Sequence, residues 1–346
     1  MIAYSSKISS TSRLYSVLPG REMWPCRRGV SFQNTTTGRV VFSRAVQDRV
    51  APPSFESMEW KQFGQRMSGE WDGVSATFDA DGQPRQLPEY YVPQAYRDWD
   101  VQLYDWQCQC SMLCDGEGMK CVTRKLMPTV GCEADAIAFT EEKGSSSWEC
   151  SVVTEDGLAT KSPGDVVSRA DVFDCTAEHI IPLEEDTMRI RIVHLLKRMG
   201  SERQWRVQGI EMYVEKKDGP YTGRRELAGC GGGMDPFATS EPLSIESLSL
   251  FTSDVSKATG VRHTHDAKAD ICQEAWGFLD NVDASSFVGL PQNCWTTFSC
   301  QTLDDTVSIL LQTGVLSPDG MKMTLVQQMS TNGILQTADL LTIDRY

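Results

Sequence analysis

The sequence predicts an all-β protein: an antiparallel eight-stranded barrel followed by a second, smaller β domain. Two observations carry this. Short runs of alternating apolar and polar residues recur at hairpin spacing between residues 68 and 215, with turn signals such as Asp115-Gly116, Lys143-Gly144, Asp156-Gly157, Pro163-Gly164 and Asp218-Gly219-Pro220 between them. No helical periodicity separates these runs, so a parallel sheet with crossover helices is disfavoured.

Taken in order, Ser57 leads a short amphipathic helical turn that ends at Phe63. An extended segment over 68–78 stops at Asp79-Ala80-Asp81-Gly82. A run over 99–110 places Trp99, Val101 and Leu103 on one face and Asp98, Asp100 and Gln102 on the other. Further strands are expected over 119–126, 133–140, 147–153 and 171–176. Over 187–197, Ile190, Ile192 and His194 share a face opposite Arg189 and Arg191. Over 204–215, Trp205, Val207 and Gly209 alternate with Arg206, Gln208 and Ile210. The stretch 221–242, with Gly231-Gly232-Gly233, Pro236 and Pro242, reads as a linker. Beyond it, 243–346 shows strands at 287–289, 294–298, 307–311 and 323–326, with a hairpin turn at Pro318-Asp319-Gly320. That length suits a reduced or partial barrel. Eight strands over 54–220 and this smaller unit make two β domains.

Charge divides the chain differently. Residues 1–47 hold seven bases (Lys7, Arg13, Arg21, Arg27, Arg28, Arg39 and Arg44) and one acid, Glu22, within a total net charge of −14. The leader is thus +6 and the remainder −20. Its twelve serines and threonines, with no long apolar core, match an organelle transit peptide. The abundance of hydroxyl residues favours the chloroplast, with residues 1–50 as a disordered leader. No second apolar transfer signal follows, which favours the stroma over the thylakoid lumen. The acidic remainder argues against nucleic-acid binding. No segment has the eighteen or so unbroken apolar residues of a membrane span.

The segment Gly69-Glu70-Trp71, placed after a short helix at the start of the first strand, resembles the Gly-x-Trp signature of the lipocalins and wider calycins. Glycine permits close backbone approach where the chain enters the barrel, and the buried indole needs a partner. The resemblance implies an arginine stacked on Trp71, for which Arg203 or Arg206 is placed. Stretches 68–74, 87–101 and 104–107, including Leu87-Pro88-Glu89-Tyr90-Tyr91 and Tyr104-Asp105-Trp106-Gln107, are similar to an uncharacterised plant and cyanobacterial family with one or two calycin-like domains. Ser244–Ser253 lacks the tryptophan expected of a second such strand. The family implies no activity. The wider calycin group includes fatty-acid-binding proteins and the S- and T-type phycobiliprotein lyases, and Ser201-Glu202-Arg203-Gln204-Trp205 is superficially similar to a stretch of the S-type lyases.

A small barrel holds one small ligand, with its site at the mouth. Tyr90, Tyr91 and Tyr96, stiffened by Pro88 and Pro93, form a candidate aromatic lid, or they pack the loop onto the rim. Tyr104, Trp106, Arg189, Arg191 and Tyr213 are candidate interior residues. The two arginines either pair with a ligand carboxylate or lie solvated outside; a period of two leaves the choice of face open.

No cofactor and no metal centre is expected. Cys110 and Cys114 form only half of a zinc pattern, and Cys108 and Cys110 read as small core residues on one strand face. Thiol regulation stays open beside that reading. His263 and His265 fall in a polar stretch read as a loop, and His194 reads as a core histidine. No nucleophile elbow, phosphate loop or dinucleotide fingerprint occurs. The expected function is binding of a small hydrophobic molecule, such as a fatty acid, a tetrapyrrole or a carotenoid-derived compound. The alternatives are a pigment-directed lyase or isomerase, and a structural or assembly factor with a filled barrel. The sequence names no protein partner.

Overall fold

A computed structural model describes residues 58–126, 128, 138–147, 151–154, 157–161, 167–169, 172–183, 187–199, 204–224, 235–252, 255–264, 267–274, 286–303, 306–317, 320–329 and 335–345. The basic leader, Arg203, and most of the strand expected over 133–140 lie outside these residues.

Helix α1 (Met58–Met67) extends a full turn beyond Phe63 and buries Trp60, Phe63, Gly64 and Met67, the i, i+3, i+4, i+7 stripe of a helix with one dry face. Strand β1 (Gly69–Phe78) follows after a single residue. The alternation over 99–110 is not a strand over its first half. Pro93, held at φ −53°, precedes a short helix α2 (Gln94–Asp98), and Asp100 adopts a left-handed φ of 54°, which side-chain carboxylates tolerate better than most. The backbone therefore turns where the apolar period suggested extension. Trp99 and Val101 are exposed, and the strand begins only at Asp105.

The remaining strands of this unit are β2 (Asp105–Asp115), β3 (Gly118–Leu126), β4 (Ala138–Ser147), β5 (Ser151–Val153), β6 (Ala159–Lys161), β7 (Val167–Arg169), β8 (Val172–Leu183), β9 (Met188–Met199) and β10 (Arg206–Gly219). They form one antiparallel sheet in the order β4-β3-β2-β1-β10-β9-β8-β6-β5, with β7 also on β8. Among the described residues the sheet has ten strands where eight were expected. Strand β1 pairs with both its successor and the last strand. That is the circular order of a meander closed on itself, opened between β4 and β5 among the described residues. The sheet is strongly curled. Arg189 on β9 reaches Met112 on β2, two strands beyond its neighbour β10, with Nη1 2.8 Å from the sulfur.

A second antiparallel sheet contains β11 (Val255–Thr264), β12 (Ala267–Glu274), β13 (Phe287–Leu290), β14 (Cys294–Leu303), β15 (Thr306–Leu316), β16 (Gly320–Met329) and β17 (Leu335–Arg345), in the order β12-β11-β17-β16-β15-β14-β13. His263 therefore lies in β11 rather than in a loop; His265 lies outside the described residues. Helix α3 (Ile245–Thr252) precedes β11 as α1 precedes β1. In both sheets the first strand sits between the second strand and the last. Both first strands also carry a glycine pressed against the last strand. A Cβ on Gly73 would fall 2.0 Å from the Val214 carbonyl oxygen, and one on Gly260 would fall 1.9 Å from that of Leu340. The second sheet is thus a shortened repeat of the first.

Period two divides β9 as its sequence reads. Ile190, Ile192 and Leu196 face one way with His194, and Arg189 and Arg191 face the other. In β10 a bulge between Val207 and Gly209 breaks the expected alternation, so Val207 and Ile210 both join one core. That core lies between the sheets. The convex side of the first sheet (Val74, Phe78, Ile181, Ile192, Met212 and neighbours) packs on Leu290, Ile309, Leu311, Ala338 and Leu340 of the second. Phe237 and Ala238, from the segment read as a linker, are buried in the same core, and their backbone N–H groups donate to Asp105 at 3.1 and 3.0 Å.

Candidate functional site

The concave side of the first sheet is built in layers along the strands. At the α1 end lies an apolar plug of Trp60, Phe63, Met67, Trp71, Met112, Met119, Val153, Ala159 and Ile180. Gly69 opens β1 where the chain enters the sheet, with the Gly219 carbonyl 2.7 Å from the place a Cβ would occupy. The Trp71 indole N–H donates to the Met67 carbonyl at 3.1 Å, so the partner that burial demands comes from the last turn of α1.

Next comes a layer of charge. The register sets Glu215 opposite Arg189 and Tyr213 opposite Arg191, on the same face as Trp71, Gly73 and Ser75 of β1. Arg189 Nε lies 2.6 Å from Glu215 Oε2. Arg191 donates through Nε and Nη2 to both oxygens of Glu215, at 2.9 Å each. Its Nη1 donates to Glu178 at 2.9 Å, and Lys161 closes the chain with Nζ 2.8 Å from the other Glu178 oxygen. Arg189, Glu215 and Arg191 are all buried. Burial alone would raise the Glu178 carboxyl, but Lys161 and Arg191 hold it down to about 2. Glu215 is likewise held below the usual carboxylate range against its burial by Arg189 and Arg191. Charges this deep are tolerated only when paired, and each carboxylate here meets two cations.

The third layer is aromatic. The Arg191 guanidinium stands 4.2 Å from the centre of the Tyr213 ring, with the Lys125 ammonium 5.6 Å from it. The Tyr213 hydroxyl donates to Glu211 at 2.8 Å, and Lys125 pairs with Glu211 at 3.2 Å. Burial, and then Glu211, push the Tyr213 phenol well above its ordinary value. Trp106 faces the same space, and Tyr91 meets its edge at 5.5 Å between ring centres. Between Trp106 and Tyr213, on β1, lies Ser75. Its hydroxyl is buried and has no hydrogen-bond partner among the described residues.

Of the residues singled out from sequence, the fold brings together Trp71, Trp106, Arg189, Arg191 and Tyr213, with Tyr91 at the rim. The guanidinium stacked on Trp71 belongs to Arg189, at 4.0 Å. Arg206 lies exposed at the start of β10. Tyr104 packs against the core between the sheets and bonds to Gln102 and Gln86. Tyr90 is 72% exposed, its ring tilted at 53° to that of Tyr91, and Tyr96 meets Trp99 in the turn. Sequence reasoning missed Glu178, Glu215, Lys161, Lys125, Glu211 and Ser75. Part of the signal was present: Glu211, Tyr213 and Glu215 alternate on the strand next to Arg189 and Arg191. His194 is buried and shares a 2.9 Å hydrogen bond with Thr296 of the second sheet. No group of three or more metal-ligating side chains occurs among the described residues.

These features define an all-β protein of two stacked antiparallel sheets, the larger curled around a buried ion-pair network. Among solved structures, the chain is similar to a DUF3598-family protein of unknown function from the cyanobacterium Nostoc punctiforme. Identity is 13% and the TM-score 0.43, over 82% of this chain and 98% of that one. No family model and no curated protein matches the sequence. Among the described residues no helix is long and apolar enough to cross a membrane.

Proposed function

We propose that the protein binds one small molecule with an apolar body in the aromatic end of the curled sheet. The observation that carries this reading is the Ser75 hydroxyl: buried, unpartnered, and set between Trp106 and Tyr213. A buried hydroxyl without a partner is costly, and a polar atom on a ligand satisfies it. Clusters of perturbed titratable groups within a concave face are also where ligand sites concentrate. The classes to try are fatty acids, tetrapyrroles and carotenoid-derived compounds. We further propose that the basic leader directs the protein to the chloroplast stroma; a fluorescent fusion that stays in the cytosol would overturn that part.

The test is native mass spectrometry of protein purified from its natural source, together with titration of palmitate, biliverdin and β-ionone. Binding of one class, weakened by Ser75→Ala and Tyr213→Phe, is expected. Retention of none and binding of none would favour a second reading, a structural or assembly factor with a filled interior. The complete internal pairing of Arg189, Arg191 and Glu215 favours that reading.

A further inference from the structure

The face of the second sheet turned away from the first repeats the layered plan of the concave site, with one difference. Its apolar layer, covered by α3, contains Leu248, Phe251, Trp295, Met323 and Leu341. One rung along lie two polar pairs, Thr297 with Gln312 across β14 and β15 and Asp339 with Arg262 across β17 and β11, with Leu325 of β16 in register between them. Arg262 grips Asp339 through Nε and Nη2 at 2.8 Å each. Asp339 is buried, but the Arg262 side chain is 41% exposed, so this layer reaches solvent at β11.

Two donors in these layers are left over. Thr297 donates to the side-chain amide oxygen Oε1 of Gln312 at 2.8 Å, which leaves the amide Nε2 without a partner among the described residues. The Trp295 indole Nε1 has none either. Gln312 is 1% exposed and Trp295 fully buried. The indole lies over Gly314, where a Cβ would fall 2.6 Å from Nε1. Gln312 stands two residues along the same strand, on the same face. The missing side chain at Gly314 thus brings both unpartnered N–H groups to one side of β15.

We propose that this face of the second sheet is a second small-molecule site, which takes an uncharged ligand with an apolar body and a carbonyl oxygen, held by Trp295 Nε1 and Gln312 Nε2. Both unpartnered groups are donors, so the ligand must supply acceptors. The Arg262–Asp339 pair is already neutral as a unit, so a ligand carboxylate would enter as an uncompensated buried charge, which is far more costly than a buried carbonyl. An ester, ketone or amide therefore fits where a free acid does not.

Prodan, a neutral naphthyl ketone whose emission shifts to the blue in dry surroundings, is the probe, and 2-naphthoate is the anionic comparison. The full chain should bind prodan with a blue shift and should bind naphthoate more weakly. Trp295→Phe keeps the ring and removes the N–H; Gln312→Met keeps the length and removes the amide. Each should weaken prodan binding about five- to tenfold, the loss of one hydrogen bond. The proposal falls if the wild type does not bind prodan, if naphthoate binds as tightly, or if both second-sheet variants bind as the wild type does. Weakening by Ser75→Ala alone would place the ketone in the first sheet, overturning this proposal while supporting the first site. The ketone-over-acid preference is measured on the wild type, so it stands even if a variant fails to fold.

Discussion

The guanidinium of Arg189 lies over Trp71, 4.0 Å from the ring centre, while its Nε holds Glu215 at 2.6 Å. One side chain thereby joins the apolar plug to the charged layer. Replacing Arg189 by methionine keeps the stem but leaves Glu215 with a single cation. We expect a loss of about 3–5 kcal/mol, the cost of breaking a buried pair from one side, read from urea unfolding. Replacing Arg189 and Glu215 together by methionine and leucine should cost clearly less than the sum of the two single changes. Additive losses would show that the pair is not energetically coupled.

His179 and His194 meet edge to face, 5.2 Å between ring centres, on the buried side of the first sheet. Burial lowers the His179 imidazole to about 3, against a partial opposing effect from Glu178. Burial and the neighbouring His179 hold His194 well below its ordinary value. Both are neutral when folded, so the unfolded chain binds more protons below about pH 6.5 and stability falls as the pH drops. From neutrality to about pH 5, His179 alone should account for a loss of about 2 kcal/mol. The urea midpoint should fall over this range, and His179→Gln should flatten the slope. A flat wild-type profile would show that the histidines ionise inside the fold.

Gly73 and Gly260 mark the closest approach of each first strand to each last strand. Alanine at either should destabilise the chain by about 1–3 kcal/mol, since the added methyl meets backbone rather than a movable side chain. A thermal melt shifted by less than a degree would mean that the strands part without strain.

Burial pushes the thiols of Cys110 and Cys114 up to about 11 and 12 and raises Cys108 and Cys175 as well. The thiolate is the reactive species. In native protein at neutral pH these four cysteines should resist iodoacetamide, and all should label in urea, with peptide mass spectrometry as the readout. Rapid native labelling of Cys110 would support the thiol-regulation alternative.

The strands of the first sheet were largely legible because period two survives wherever one face is dry. The plain exceptions have local causes. Pro93 and Asp100 turn a chain whose apolar residues still alternate, and the bulge beside Gly209 slips the period by one. In the second unit, β11, β12 and β17 were missed. Thr259, His263, Lys268 and Asp270 interrupt β11 and β12, and β17 carries Leu340 and Leu341 side by side because both its faces are buried. At the site, the faces of Arg189 and Arg191 were separable from the isoleucines, but which face curls inward depends on strands far apart in sequence. Glu178 and Lys161 are drawn to Arg191 only by that closure, so no local pattern announced them. Arg206 lost the Trp71 position to Arg189 for the same reason: the curl, not proximity along the chain, selects the stacking partner.

The shared core between the sheets makes each half the other's missing interior. If the chain is cut in the stretch between Tyr221 and Leu243, neither piece has a way to cover the side that holds Ile192 and Met212, or Leu311 and Leu340. Each fragment made alone should aggregate or be degraded. Made together, the two should find each other and reassemble, so a severed backbone would still give one working molecule.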